Sequence, residues 1–126
     1  MIAELLKVKL PFEPSTPAQA GAIAALDDKE WLHRSLELNA RGMQRLMEGL
    51  PVVRSEANFV LLPLESPQAA ANLVDQLLQR GVIIRPMASW GLPQCVRIST
   101  GTDEDLHLLF DALKQVGQPT YVLPQL

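Results

Sequence analysis

The sequence predicts an α+β two-layer sandwich, a small antiparallel or mixed sheet with helices on one face. Three observations lead there. Short apolar, β-branched runs end at Arg54, Leu64, Ile84 and Thr100 and read as strands. Between and around them, apolar residues recur at spacings of three and four, which is the helical period. The order is helix, strand, strand, helix, strand, strand, helix, so strands come in pairs and do not alternate singly with helices.

Residues 1–10 read as one or two helical turns. Prolines at 11, 14 and 17 hold 10–17 extended. Phe12 is an aromatic in this polar linker and is expected to pack on a surface outside the chain. Thr16 is the predicted N-cap of a helix, with Pro17 in the first position and Gln19 completing a capping box. The stretch from Ala18 to Leu26 is rich in alanine. It suits a simple high-propensity helix, and equally a helix that docks on a neighbouring domain or subunit.

Asp27 and Glu30 form a second predicted capping box. Leu32, Leu36, Ala40, Met43, Met47 and Leu50 follow as one helical stripe, stopped by Gly49 and Pro51. Val52–Arg54 is a predicted short strand. Ala57–Leu64 is a longer one, almost wholly apolar and therefore central in its sheet. Ser66 caps the next helix, Pro67 opens it, and Ala70, Leu73, Val74, Leu77 and Leu78 form its buried stripe. Gly81 closes it.

Val82–Ile84 reads as a strand ending at Arg85, Pro86–Pro93 as a loop, and Gln94–Thr100 as a strand. In the last, Val96, Ile98 and Thr100 face the core, and Cys95, Arg97 and Ser99 face away. Thr102 caps the final helix, with Asp103, Glu104 and Asp105 in its positive first turn. Leu106, Leu109, Phe110 and Leu113 form its stripe, and Gly117 ends it.

Composition narrows the function. The 126 residues suit one domain, with 48% hydrophobic content and a net charge of −3. That charge gives no reason to expect nucleic acid or an anionic membrane as partner. A single cysteine excludes an internal disulfide and suits a reducing, cytoplasmic compartment. No apolar run approaches a membrane span, and the N-terminus lacks the layout of a signal peptide. There is no nucleophile–base constellation, no glycine-rich phosphate loop and no pair of cysteines at metal or redox spacing. His33 has no second ligand at metal spacing, and Cys95 reads as a small buried hydrophobe. Lys7, Lys9, Lys29 and Lys114 read as surface residues.

What remains is a pair of arginines. If the strands at 82–85 and 94–100 pair antiparallel with residue numbers summing to 180, Arg85 lies opposite Cys95. It is then a diagonal neighbour of Arg97 on the same face, with backbones about 7–8 Å apart. Two guanidinium groups that close repel unless an anion lies between them, and arginine forks suit a phosphate. The alternative is that Arg97 pairs with a carboxylate such as Glu65 or Asp103.

Three stretches, KVKLPFEPSTPAQAGAIAAL, SEANFVLLPL and RGVIIRPMASWGLPQCVRISTGTDED, carry a resemblance. From about Leu5 to Val116 the chain resembles the C-terminal part of histidinol-phosphate aminotransferases. These are pyridoxal-phosphate (PLP) enzymes of fold type I in the aspartate-aminotransferase superfamily. The last stretch is the most specific: a GVIVRP-type strand, a GLP loop and an LRIS-type strand followed by GT and acidic residues. Val96 stands where leucine is frequent, and Trp90 where an aromatic or glycine is usual.

The resemblance implies that Arg97 binds the anionic end of the substrate and that Arg85 serves the extra charge of a phosphate ester. It implies transamination of L-histidinol phosphate with 2-oxoglutarate in histidine biosynthesis, in a homodimer. The threonine-phosphate decarboxylases, which also read a phosphate ester, and a non-catalytic α+β binding module stand as alternatives. It further implies that the Schiff-base lysine and the PLP phosphate site belong to a large domain preceding this stretch. On that reading residues 1–26 are the tail of the large domain with the interdomain helix, 27–118 the small domain and 119–126 a tail. The chain alone is then expected to hold no catalytic residue, no metal and no cofactor, and to be inactive without the large domain.

Overall fold

The structure is a computed structural model and describes residues 2–9, 12–117, 121 and 122. Leu10, Pro11 and most of the predicted tail at 119–126 lie outside the described residues. The chain divides into two units, residues 1–34 and 35–126.

The first unit holds α1 (Ile2–Val8), α2 (Thr16–Ala25) and the start of α3 (Lys29–Gly49). The caps fall one residue from the predicted places. Ser15, not Thr16, caps α2: its backbone is extended, and its hydroxyl accepts from Ala18 N–H at 3.4 Å. Thr16 is already helical, and Gln19 turns back to donate to Pro14 O at 3.0 Å. Asp28, not Asp27, caps α3 by accepting from Trp31 N–H at 2.9 Å. Asp27 is taken up in the turn that closes α2, where its N–H donates to Ala24 O. No residue of α2 is buried, and Phe12, Ile23 and Leu26 are all exposed.

The second unit carries the rest of α3, β1 (Phe59–Pro63), α4 (Pro67–Leu78), β2 (Arg85–Pro86), β3 (Cys95–Ser99) and α5 (Asp103–Val116). The sheet is antiparallel, in the order β1-β3-β2. Val60 and Leu62 of β1 and Val96 and Ile98 of β3 are fully buried on one face. Against them pack Met43 and Leu46 of α3, Leu73 and Leu77 of α4, and Leu106 and Leu109 of α5. This is the predicted two-layer α+β architecture.

Within it, several expectations change. The buried side of α3 runs through Gly42, Met43, Leu46 and Leu50, while Leu32, Leu36 and Ala40 are exposed. Val52–Arg54 is no strand: Val53 makes a single antiparallel bridge to Leu61. Val82–Ile84 is no strand either. Gly81 turns at φ 78°, and the Val82 N–H is spent on Leu77 O at 2.9 Å, so this segment finishes α4 instead of joining β3. Pairing begins only at Arg85. Pro86 stands in β2, although proline has no N–H, because it occupies a pair that exchanges no hydrogen bonds. Met87 N–H donates to Cys95 O beside it, and antiparallel pairs alternate.

The α4 and α5 caps form as predicted. Ser66 accepts from Ala69 N–H at 3.1 Å. Thr102 and Asp105 form a reciprocal capping box. At Gly42 a Cβ would collide with the Thr100 hydroxyl, so only glycine lets α3 approach the end of β3 this closely. Among the described residues, no helix is long and apolar enough to cross a membrane.

Candidate functional site

The register places the arginines. Arg85 lies directly opposite Arg97, and Pro86 opposite Val96. The predicted pairing of Arg85 with Cys95 is therefore wrong by two residues. A slip of two preserves the face, because side chains alternate with a period of two. The arginines are not diagonal but in line, with Cβ atoms about 4.5–5.5 Å apart. The slip arises at the loop. The connection takes up two residues more than predicted, coiled into a 3₁₀ turn at Ala88–Trp90 with Gly91 at φ 78°, and pairing resumes at Met87 with Cys95.

On the other side of β3, Leu61 of β1 stands opposite Arg97, and Phe59 stands opposite Ser99. The cross-strand row on the outer face is thus Leu61, Arg97, Arg85. The Arg97 guanidinium lies over the Phe59 ring, 5.1 Å from its centroid. Arg97 is half-buried and Arg85 exposed. The Arg97 Nε is buried with no hydrogen-bond partner. Neither Glu65 nor Asp103 pairs with Arg97, and no carboxylate among the described residues does. The carboxylate alternative is not realised here.

Beside the pair the sheet opens. Residues 82–84 part from 98–100 and leave a cavity of about 430 Å³, lined by Ile83, Arg85, Arg97, Ser99, Thr100 and Asp105 among others. Its lining includes the first turns of α5. There Thr102 O–H and N–H both donate to Asp105 Oδ2, at 2.8 and 2.9 Å. These bonds, the hydroxyl's first, hold the Asp105 carboxyl below its usual range. The cavity lining therefore combines two positive side chains with a carboxylate held by its own hydrogen bonds.

Cys95 is buried on β3, and burial pushes its thiol up, which makes it inert as a nucleophile. No group of three His, Cys, Asp or Glu among the described residues is placed to hold a metal. The sequence reading missed Phe59. Its signal was the alternation of ANFVLLPL: Phe59 and Leu61 share a face, and that face becomes the arginine face once β1 pairs with β3.

The sequence pattern of the aminotransferase class I and II family matches residues 1–113. The chain belongs to the class I and II aminotransferases. Histidinol-phosphate aminotransferase 2 of Ralstonia nicotianae is 43% identical to this aminotransferase chain over 111 residues, 83% of this chain and 30% of that protein. Histidinol-phosphate aminotransferase 1 of Thiobacillus denitrificans is 43% identical over 121 residues, 91% of this chain and 31% of that protein. The crystal structure of histidinol-phosphate aminotransferase from Sinorhizobium meliloti, in complex with pyridoxal 5'-phosphate, superposes with a TM-score of 0.74 at 32% identity. It covers 90% of this chain and 33% of its own. The aminotransferase chain described here thus spans about a third of the length of the relatives it matches.

The residues of the cavity do not fit the cofactor of the S. meliloti relative. All four lysines are exposed, none lines the cavity, and Lys7 and Lys114 pair with Glu4 and Asp111. The cavity offers an aldehyde no amine. It suits an anion.

Proposed function

We propose that the chain is the substrate-anion-binding small domain of a PLP-dependent aminotransferase of the histidinol-phosphate type. In that enzyme Arg97 and Arg85 hold the anionic end of the substrate. The reaction is the exchange of the amino group of L-histidinol phosphate with 2-oxoglutarate, giving imidazole acetol phosphate and glutamate. The observation that carries this reading is the direct opposition of Arg85 and Arg97 at the cavity, with no carboxylate among the described residues to neutralise Arg97. Like charges directly opposite on a sheet are destabilising, and a bound dianion reverses the sign. The assignment to the histidinol-phosphate type draws on the relatives and on the GVIIRP, GLP and VRISTG stretches. With it come residues 1–26 as part of a large domain, 27–118 as the small domain, and a homodimer.

The chain's own share of the chemistry is binding and orientation. A carboxylate, as on glutamate, takes one guanidinium fork. A phosphate ester has the charge and oxygens for both. No step through the cofactor falls to these residues.

Single-turnover kinetics of each half-reaction, in the holoenzyme that carries this chain, test the reading. Arg97→Lys keeps charge but loses the fork. It should weaken both half-reactions by roughly ten- to a hundredfold, the equivalent of about 1.5–3 kcal/mol for a charge-assisted hydrogen bond. Arg85→Ala should raise the apparent KM for imidazole acetol phosphate well above any change for glutamate. Equal losses for both substrates would make Arg85 structural. No loss with either variant would remove the arginines from the site.

A further inference from the structure

We infer that Phe59 is a positioning residue that sets the orientation of Arg97 and so its affinity for the substrate anion. The inference rests on the anion-binding reading of Arg97 above. Phe59 is on β1, on the far side of β3 from Arg85. It lies diagonal to Arg97, since its direct partner is Ser99, and a diagonal neighbour is within reach of an aromatic ring and a long side chain. The 5.1 Å stack therefore holds the guanidinium against β1, near the Ser99 end of β3, while Arg97 itself remains part of the cavity lining.

Three features make this stack the determinant of the arginine's pose. Leu61, directly opposite Arg97 on β1, has no side-chain donor or acceptor to offer it. The Nε is buried and unpartnered, so no polar contact fixes the plane of the group. No carboxylate among the described residues pairs with it. What remains to hold the plane is the ring of Phe59, by the attraction between a cation and an aromatic face. The stacked group leaves its two terminal nitrogens as the donors for an anion. It also prepays the ordering of a side chain that otherwise loses rotamer freedom on binding. Phe59 touches the arginine and not the anion.

The test uses this chain with inorganic phosphate as probe, followed by NMR of the arginine Nε–H groups. In the parent chain the Arg97 signals should carry an upfield ring-current shift, and phosphate should perturb them. In Phe59→Leu the ring-current shift should vanish and phosphate affinity should fall by about two- to tenfold. Phe59→Tyr keeps the ring and should restore both. A parent chain whose Arg97 signals show no ring-current shift overturns the inference, whatever the stability of the variants. So does equal or tighter phosphate binding in Phe59→Leu, or weakened binding in a folded Phe59→Tyr that keeps the shift. If phosphate leaves the Arg97 signals of the parent unmoved while the ring-current shift is present, the anion-site reading fails, and the inference falls with it.

Discussion

Helices α2 and α4 begin alike. Ser15 and Ser66 cap them with extended backbones, and a proline stands in the first positions of each. Both lack acidic residues in the first turn and basic residues in the last. From there they part. α4 buries Ala70, Leu73 and Leu77 against the sheet, whereas α2 buries nothing. The sequences say why. α4 places large apolar residues at 73, 74 and 77, in helical period, while α2 beyond Gln19 is alanine and glycine apart from Ile23. A cap fixes where a helix starts. The spacing of bulky side chains decides whether it enters a core. The two units repeat this contrast at larger scale: the second has a contiguous core from Met43 to Leu113, and the first exposes Ile2, Leu5, Leu6, Ile23 and Leu26.

The contrast is broken or kept most sharply by truncating one bulky residue in each helix. Leu73 is 2% exposed and Ile23 is 67% exposed. Leu73→Ala should cost about 2–5 kcal/mol in urea unfolding, through lost transfer energy and the cavity left behind. Ile23→Ala should change stability by less than about 0.5 kcal/mol. A comparable loss for Ile23→Ala would show that α2 is packed in solution.

The caps give a smaller effect with the same logic. Ser66→Ala removes a bond to Ala69 N–H at the entry to a packed helix and should cost about 1 kcal/mol of global stability. Ser15→Ala removes a longer bond, 3.4 Å, from a helix tied to no core. It should lower helical content by circular dichroism and leave the urea midpoint unmoved. A shift of the midpoint would couple the first unit to the second.

The same contrast explains what the sequence made legible. Elements with bulky periodic residues and strong stop signals are legible: α4, α5, β3 and the two-layer arrangement, whereas the strand at 57–64 forms as β1 but lies at the edge of the sheet, with β3 in the centre. What misled was choice among near-equivalent residues. Ser15 and Thr16 are both residue types that can cap, as are Asp27 and Asp28, and only the local backbone selects Ser15 and Asp28. The face of α3 differs from the periodic reading because Leu32, Leu36 and Ala40 fit the period yet stay exposed, and period alone does not say which part of a stripe is covered. At the site, both arginines and their shared face were readable from alternation. Their register was not, because it depends on where the loop of 88–94 lets pairing resume. Phe59 was hidden for a related reason, since a stack between strands exists only after β1 and β3 are aligned.

The smallest effect concerns a third kind of cap. The serine caps of α2 and α4 do not titrate, but the α5 box uses a carboxylate. Asp105 accepts from Thr102 O–H and N–H, and these bonds lower its pKa. An unfolded aspartate titrates near about 3.9. A group with a lowered folded pKa contributes stability that is fully present above the unfolded value. That stability is lost as pH falls through the folded one. The chain should therefore lose stability on the acid side, below about pH 4, and Asp105→Asn should flatten that limb while leaving Ser66→Ala with the parent's slope. Asp111 adds a second contribution of the same sign through its hydrogen bond to Lys114 and that lysine's charge, so some acid slope should persist in Asp105→Asn and diminish further in the Asp105→Asn, Asp111→Asn double variant. Urea midpoints measured between neutral and strongly acidic pH would show this order. An unchanged slope in Asp105→Asn would mean that the box at α5 stays intact with its carboxyl protonated, Thr102 then being the acceptor and Asp105 the donor.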